Sequence, residues 1–281
     1  MFMATMSHLS LRSPDVLALE HYYADTMGLT VQERLDGGRV RLGWGRGHHA
    51  IELVPGDNGM DHFAFEVHGE NGLRDLKGRL ANAQTKHEEI IPAGNHPPAI
   101  QISDPDGNRV LFHGRIDRSG EGGHGTRPDR IQHIVLSSRN SARLNAFYLD
   151  VIGFRLSDRL VGDVFCWARS DHFHHSLGIA QRKNVSGLDH FSFDIADWEQ
   201  FKRWSDHLAR KSCPILWGPG RHGPGNNLSI MFRDPQGYLI ELSAEMELYW
   251  DDITSQVPRE WEASNRSTSL WGHSPDLHRD G

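Results

Sequence analysis

The amino-acid sequence predicts an α+β fold assembled from two similar modules, and three observations carry that prediction. Residues 59–62 read Gly-Met-Asp-His and residues 187–190 read Gly-Leu-Asp-His, each running into a His-Phe-x-Phe stretch. Residues 104–107 read Asp-Pro-Asp-Gly and residues 234–237 read Asp-Pro-Gln-Gly, each followed by a short apolar run. Between these marks, short alternating stretches with strand periodicity are interspersed with longer helical ones. A repeat of this length in a chain of 281 residues implies two domains of one build.

The elements follow in order. His8-Leu-Ser-Leu alternates as a strand does, and Ser13-Pro14-Asp15 offers cap chemistry to a helix over 16–27 that Gly28 ends. The second module repeats this with His133-Ile-Val-Leu, a helix over 141–151 and Gly153. Strands are expected over 40–43 and 163–168, then at His48-His49-Ala-Ile and His174-His175-Ser-Leu. After each Asp-His strand comes a second helix, over 71–83 and 198–211. Each module then closes with a hairpin whose Asp-Pro-x-Gly turn has the residues a tight turn demands. The pattern reads β-α-β-β-β, then a helix and two further strands. The boundaries fall at 1–115 for the first module, 116–130 for a Gly-rich, charged linker, 131–246 for the second module and 247–281 for a tail. That tail carries Trp250, Trp261 and Trp271, and is expected to pack on the second module or at a subunit contact.

Composition narrows the function. Thirty Lys and Arg against 37 Asp and Glu give a net charge of −7, which argues against a nucleic-acid or anionic-membrane binder. No apolar run is long enough to span a bilayer, and the opening Met-Phe-Met-Ala-Thr-Met is too short and uncharged for a secretory signal. Cys166 and Cys213 make no disulfide framework, so a reducing cytoplasm is the default compartment.

The candidate site comes from comparing the modules. His8 aligns with His133 and His62 with His190, but Leu111 stands where the second module has Glu241. Two histidines and a carboxylate therefore occur together in the second module alone, 57 and 51 residues apart, and only folding can assemble them. In the middle strand Phe191, Phe193 and Ile195 form an apolar side, and His190, Ser192 and Asp194 a polar one. Two imidazoles and one carboxylate leave half of an octahedral ion open, a set suited to non-haem Fe(II) and, with overlapping preference, Mn(II). No thiolate joins them, which disfavours a structural zinc site. An ionised aromatic diol would neutralise the remaining charge, leaving a position for O2. His8 and His62, lacking a carboxylate partner, read as remnants in structural roles.

The paired modules, His-x-Val-Leu, Gly-Leu-Asp-His-Phe and Asp-Pro-x-Gly-x-x-x-Glu resemble the type I extradiol ring-cleaving dioxygenases. These belong to the vicinal oxygen chelate superfamily, with glyoxalase I and the bleomycin-resistance proteins. The resemblance spans about residues 5–245. It implies two β-α-β-β-β repeats per domain, each sheet wrapping a cavity, and a metal in the C-terminal domain on His133, His190 and Glu241. It further implies insertion of both atoms of O2 into a catechol in aromatic catabolism, and a homo-oligomeric assembly. His175 takes the part of the acid–base residue beside the oxygen site. Strand alternation is expected to turn His174 away, and His48-His49 stands at the matching place in the first module. Gly220-Arg221-His222 resembles the loop that supplies a histidine near the substrate hydroxyls, with Asn226 and Asn227 as neighbours. Where the family commonly has a tyrosine ten residues before the glutamate, this chain has Met231, which can touch an aromatic ring but cannot donate a hydrogen bond. A glyoxalase-like isomerase or lyase and a non-catalytic ligand binder are the alternatives. The first usually needs two carboxylates, often from both modules, which Leu111 disfavours, and the second has no need of an intact metal set.

Overall fold

The computed structural model describes residues 2–44, 49–116, 126–250 and 256–272. Contacts divide the chain into two units, Phe2–Ile131 with Asp234–Gly237, and Gln132–Arg233 with Tyr238–Gly281.

The first unit runs β1 (Ala4–Ser13), α1 (Val16–Asp25), β2 (Thr30–Leu35), β3 (Arg39–Gly43), β4 (His49–Pro55), β5 (Gly59–Val67), α2 (Gly72–Asn82), β6 (His87–Ile90), β7 (Ala99–Ser103) and β8 (Arg109–His113). It is two β-α-β-β-β repeats in a single sheet of order β2-β3-β4-β1-β5-β8-β7-β6. The second unit repeats the plan. Its elements are β9 (Arg130–Ser138), α3 (Ser141–Ala146), β10 (Arg155–Leu160), β11 (Phe165–Arg169), β12 (Leu177–Gln181), β13 (Gly187–Asp194), α4 (Trp198–Arg210), β14 (Trp217–Arg221), β15 (Leu228–Arg233) and β16 (Leu239–Ala244). The tail adds β17 (Arg259–Trp261), parallel to β10, and the short α5 (Asn265–Thr268).

Each module thus has two strands beyond those the sequence pattern marks. The omitted strands, β2, β6, β10 and β14, lie at the outer ends of the sheets or next to them. There one face meets solvent, so Thr30–Leu35 and His87–Ile90 have little apolar alternation to betray them. The helices follow their local signals closely. Asp15 accepts a hydrogen bond from the Ala18 amide at 3.0 Å and caps α1. The segment after α3 winds one wider turn over Phe147–Ile152 before Gly153, at φ 98°, ends it.

α4 shows how the core is made. Asp197 caps it by accepting from the Gln200 amide at 3.0 Å, and His207 and Arg210 close the last turn, where cations suit the helix dipole. Phe201, Trp204 and Leu208, spaced to share one stripe, are fully buried. Phe191 and Phe193 of β13 are buried as well, so the apolar side predicted for this strand is the core side. Truncating Trp204 to alanine would cost about 3–5 kcal/mol by transfer and cavity terms. The opposite face of β13 is left for polar chemistry. Among the described residues no helix is long and apolar enough to cross a membrane.

Candidate metal centre

Parallel pairing of β13 with β16 sets Ser192 opposite Glu241, so His190, two residues earlier, shares Glu241's face. β9 lies on the other side of β13 and brings His133 to the same face. One ligand atom from each of His133, His190 and Glu241 falls within 4.8 Å of the others. The two Nε2 atoms converge on a single oxygen, Glu241 Oε2, at 3.1 Å from His133 and 3.4 Å from His190. All three side chains are buried, Glu241 with 1% of its surface exposed.

The outward nitrogens explain this aim. His133 Nδ1 donates to Gln132 Oε1 at 3.0 Å, and Gln132 in turn donates to Asp194 at 2.7 Å. His190 Nδ1 donates to Asp189 Oδ1 at 2.8 Å, and Ser137 donates to the other Asp189 oxygen at 2.9 Å. With each Nδ1 donating outward, each Nε2 faces inward, and a bound cation would take the place of any proton there, the usual arrangement for a metal-bound imidazole. Asn227 Nδ2 donates to Glu241 Oε1 at 3.2 Å and to Ser243 at 2.9 Å, which leaves Oε2 to the histidines. Burial alone would raise the Glu241 pKa, but the surrounding histidines overcome it and hold the carboxyl well below its ordinary range. Burial pushes His133 down. His190 is driven up to about 9, because Asp189 and Glu241 outweigh its burial. Two imidazole nitrogens and one ionised oxygen on a dry face fit a divalent cation, and lack of thiolate suits iron or manganese better than a closed zinc site.

His175 and His222 border this set. The His175 ring lies 4.3 Å from that of His133, and burial holds its pKa well below the ordinary value. His174 is turned elsewhere, as expected, but strand alternation is not the reason. Both residues lie in irregular chain just before β12. Their Nδ1 atoms are 3.0 Å apart, and His174 Nε2 lies 3.0 Å from Asp158 Oδ2, fully buried. His222 Nδ1 donates to the Thr268 carbonyl at 2.7 Å, its ring stacks on Trp217, and its Nε2 stands 3.6 Å from Glu241 Oε1. Met231 pairs directly with Glu241 across β15 and β16, and packs with Trp217 and Leu239 as an apolar wall on Glu241's face. Asn226 stands apart from the cluster. It is exposed and turns the loop at φ 51°, so Asn227 alone of the pair meets the acidic side chain.

Sequence reasoning missed Asp189, Gln132, Asp158 and the Thr268 carbonyl. The first had a visible signal, the Asp-His dipeptide present in both modules. The other three had none: Asp158 lies in a strand that was not foreseen, and Thr268 lies in the tail. The tail packs on the second module as one of the two expectations held, with Arg259 and Trp261 both bonded to Asp158 at 2.9 Å. His48 and residues 117–125 of the linker lie outside the described residues.

Known proteins resemble this chain over nearly its whole length. Residues 130–242 match the model of the Glyoxalase/Bleomycin resistance protein/Dioxygenase superfamily. The chain is 22% identical to a manganese-dependent 2,3-dihydroxybiphenyl 1,2-dioxygenase of Geobacillus genomosp. 3, over 99% of this chain and 96% of that one. It is 24% identical to an iron-dependent extradiol dioxygenase of Rhodococcus jostii, over 97% of each. Among solved structures, an Mn(II)-bound glyoxalase from Novosphingobium aromaticivorans superposes with a TM-score of 0.87 at 24% identity, covering 97% of this chain and 92% of that one.

Proposed function

We propose, for a vicinal oxygen chelate chain related over nearly its whole length to extradiol dioxygenases, that the C-terminal module cleaves the ring of a catecholic substrate with O2. The observation that carries this reading is the convergence of His133 and His190 Nε2 on one oxygen of Glu241, with a histidine pair and an apolar wall beside it. His133, His190 and Glu241 would hold Fe(II) or Mn(II), the ions its relatives use. Such an ion supplies Lewis acidity and an electron path between diol and O2.

The chain's own groups do the rest. Trp217, Met231 and Leu239 offer an apolar surface to the aromatic ring. Asp158 beside His174 Nε2 favours the proton on that nitrogen, so His174 Nδ1 accepts from His175 Nδ1–H. That ordering leaves His175 Nε2 as a neutral base. It takes a proton from the entering diol and returns it to oxygen as the ring opens. His222 Nε2, fixed through its Nδ1–H to Thr268, stands where a second hydroxyl can be bonded, a role Met231 cannot fill.

The test is to purify the chain without oxygen, load Fe(II), add catechol and admit O2. Oxygen uptake with a yellow ring-opened product supports the reading. Isomerisation of a hemithioacetal under argon would make the chain a glyoxalase-type enzyme, and tight ligand binding without turnover would make it a binder.

A further inference from the structure

Among the described residues of the first module, His8, His49, His62, His96 and His113 are buried, where the sequence singles out His8 and His62 as remnants. One ring nitrogen from each of His8, His96 and His113 lies within 4.8 Å of the others. The ring centroids of His8 and His96 are 5.4 Å apart, and those of His96 and His113 4.7 Å.

The outward nitrogens are again committed. His96 Nδ1 donates to the Pro97 carbonyl at 2.8 Å, His113 Nδ1 to the Gly114 carbonyl at 2.7 Å, and His62 Nδ1 to Asp61 at 2.9 Å. These three imidazoles therefore turn Nε2 toward the interior, with carbonyls and a carboxylate behind them, as metal-ligating histidines do; His113 Nε2 meets Ser7 Oγ and His62 Nε2 meets His8 Nε2, contacts that an ion would replace. His96 Nε2 is buried and has no hydrogen-bond partner, in a side chain only 8% exposed. An unmet buried acceptor of this kind is destabilising unless something meets it. His8 Nε2 and His62 Nε2 are 3.3 Å apart, close to the edge of a tetrahedron built on Zn–N bonds of about 2.0–2.1 Å.

The surroundings hold this set in place. A register shift between Met6 and His8 in β1 lets consecutive residues Ser7 and His8 both meet the cluster, Ser7 Oγ lying 2.8 Å from His113 Nε2. The loop bearing His96 is pinned by Arg41, which donates to the Ala93 carbonyl at 2.8 Å, and by Glu33, which accepts from the Asn95 amide at 3.2 Å. Glu52, the buried carboxylate near His49, is bound by Arg39 and Arg41. The available donors are therefore all imidazole, which selects a borderline ion such as Zn(II) over Mg(II) or Ca(II).

We propose that the N-terminal module binds a second divalent transition-metal ion of the zinc class through His8, His96 and His113, with His62 as an adjoining donor. The set differs from the C-terminal one by relocation. His113 stands two residues beyond Leu111 in β8, on the same face, where the other module has Ser243 two beyond Glu241. Without a carboxylate the site has no reason to support oxygen chemistry, and its role is to bind metal within the first sheet.

The full chain, stripped with a chelator and titrated with Co(II), tests this by metal content and by the visible d–d bands of Co(II) on nitrogen ligands. Wild type is expected to bind two ions per chain. The variant His190→Gln/Glu241→Gln should bind one, and His96→Gln/His113→Gln should bind one while retaining ring cleavage after Fe(II) loading. No ion in the His190→Gln/Glu241→Gln variant, with its circular dichroism unchanged, overturns the proposal and leaves a hydrogen-bonded imidazole cluster only. Should the His96/His113 variant fail to fold, that measurement still decides. Failure of the C-terminal site would appear separately, as loss of metal from the His96/His113 variant.

Discussion

Leu111 and Glu241 occupy matching strand positions, yet one module has a buried aliphatic side chain there and the other a buried carboxylate. Around them much is shared. The His8 ring lies tilted against that of His49 at 4.2 Å, as the His133 ring does against that of His175 at 4.3 Å. Asp61 supports His62 as Asp189 supports His190. His96 and His222 lie in loops between corresponding strand pairs. The comparison teaches that the fold itself delivers imidazoles to one face of each sheet, whereas a single anionic oxygen decides which chemistry they can serve. An ionised carboxylate lowers the charge of a bound ion and leaves open positions suited to oxygen chemistry. An imidazole in its place leaves that charge unlowered.

The largest way to break the comparison is to erase that oxygen. Glu241→Gln should lose Fe(II) from the C-terminal module and reduce oxygen uptake to background, measured with metal content. Persistent turnover would remove the basis for the site. Next comes His175→Phe, expected to keep one Fe(II) at that site while slowing turnover by about 10²–10⁴-fold, the usual span for a lost acid–base group. The matching change His49→Phe should leave turnover untouched, and equal loss from both would show that burial rather than proton transfer is being read. Asp189→Asn is smaller, with Fe(II) affinity falling about 10–100-fold as His190 loses its support. Asp61→Asn should leave Fe(II) affinity at the C-terminal site as it was.

The smallest effect concerns the tail. Burial would raise Asp158, but His174 and Arg259 hold its pKa below the ordinary value near 3.8. Its stabilising contribution is therefore present above that value and lost as pH falls toward the folded-state pKa. Arg259→Gln removes one partner and should cost about 1–3 kcal/mol near neutral pH. The deficit should shrink below pH about 4, as the unfolded-state carboxyl protonates. Urea melts at both pH values check it, and a deficit independent of pH would assign the loss to packing of Trp261 instead.

Much of this was legible in the chain. The Asp-His and Asp-Pro-x-Gly repeats, the cap at Asp15 and the apolar side of residues 191–195 depend on neighbours close in sequence, where spacing and side-chain direction are fixed by helix or strand geometry. The ligand set was legible for another reason: an internal copy served as a control, so the Leu111 to Glu241 difference stood out. Edge strands were not legible, because half-solvated backbone needs no alternating apolar code. Asn226 was preferred alongside Asn227 because neither residue type nor position separates them, and only the loop's left-handed turn does.

Sequence by itself determined two repeated modules, the inner strands and helices within them and one complete set of two imidazoles and a carboxylate. Tertiary structure alone decided that His174 and Asp158 stand behind His175, that Thr268 of the tail orients His222, and that His96 and His113 close on His8. The physical reason is range. Periodicity reports which way a side chain leaves its own backbone, while the partner it meets is set by sheet order, loop path and register between segments scores of residues apart.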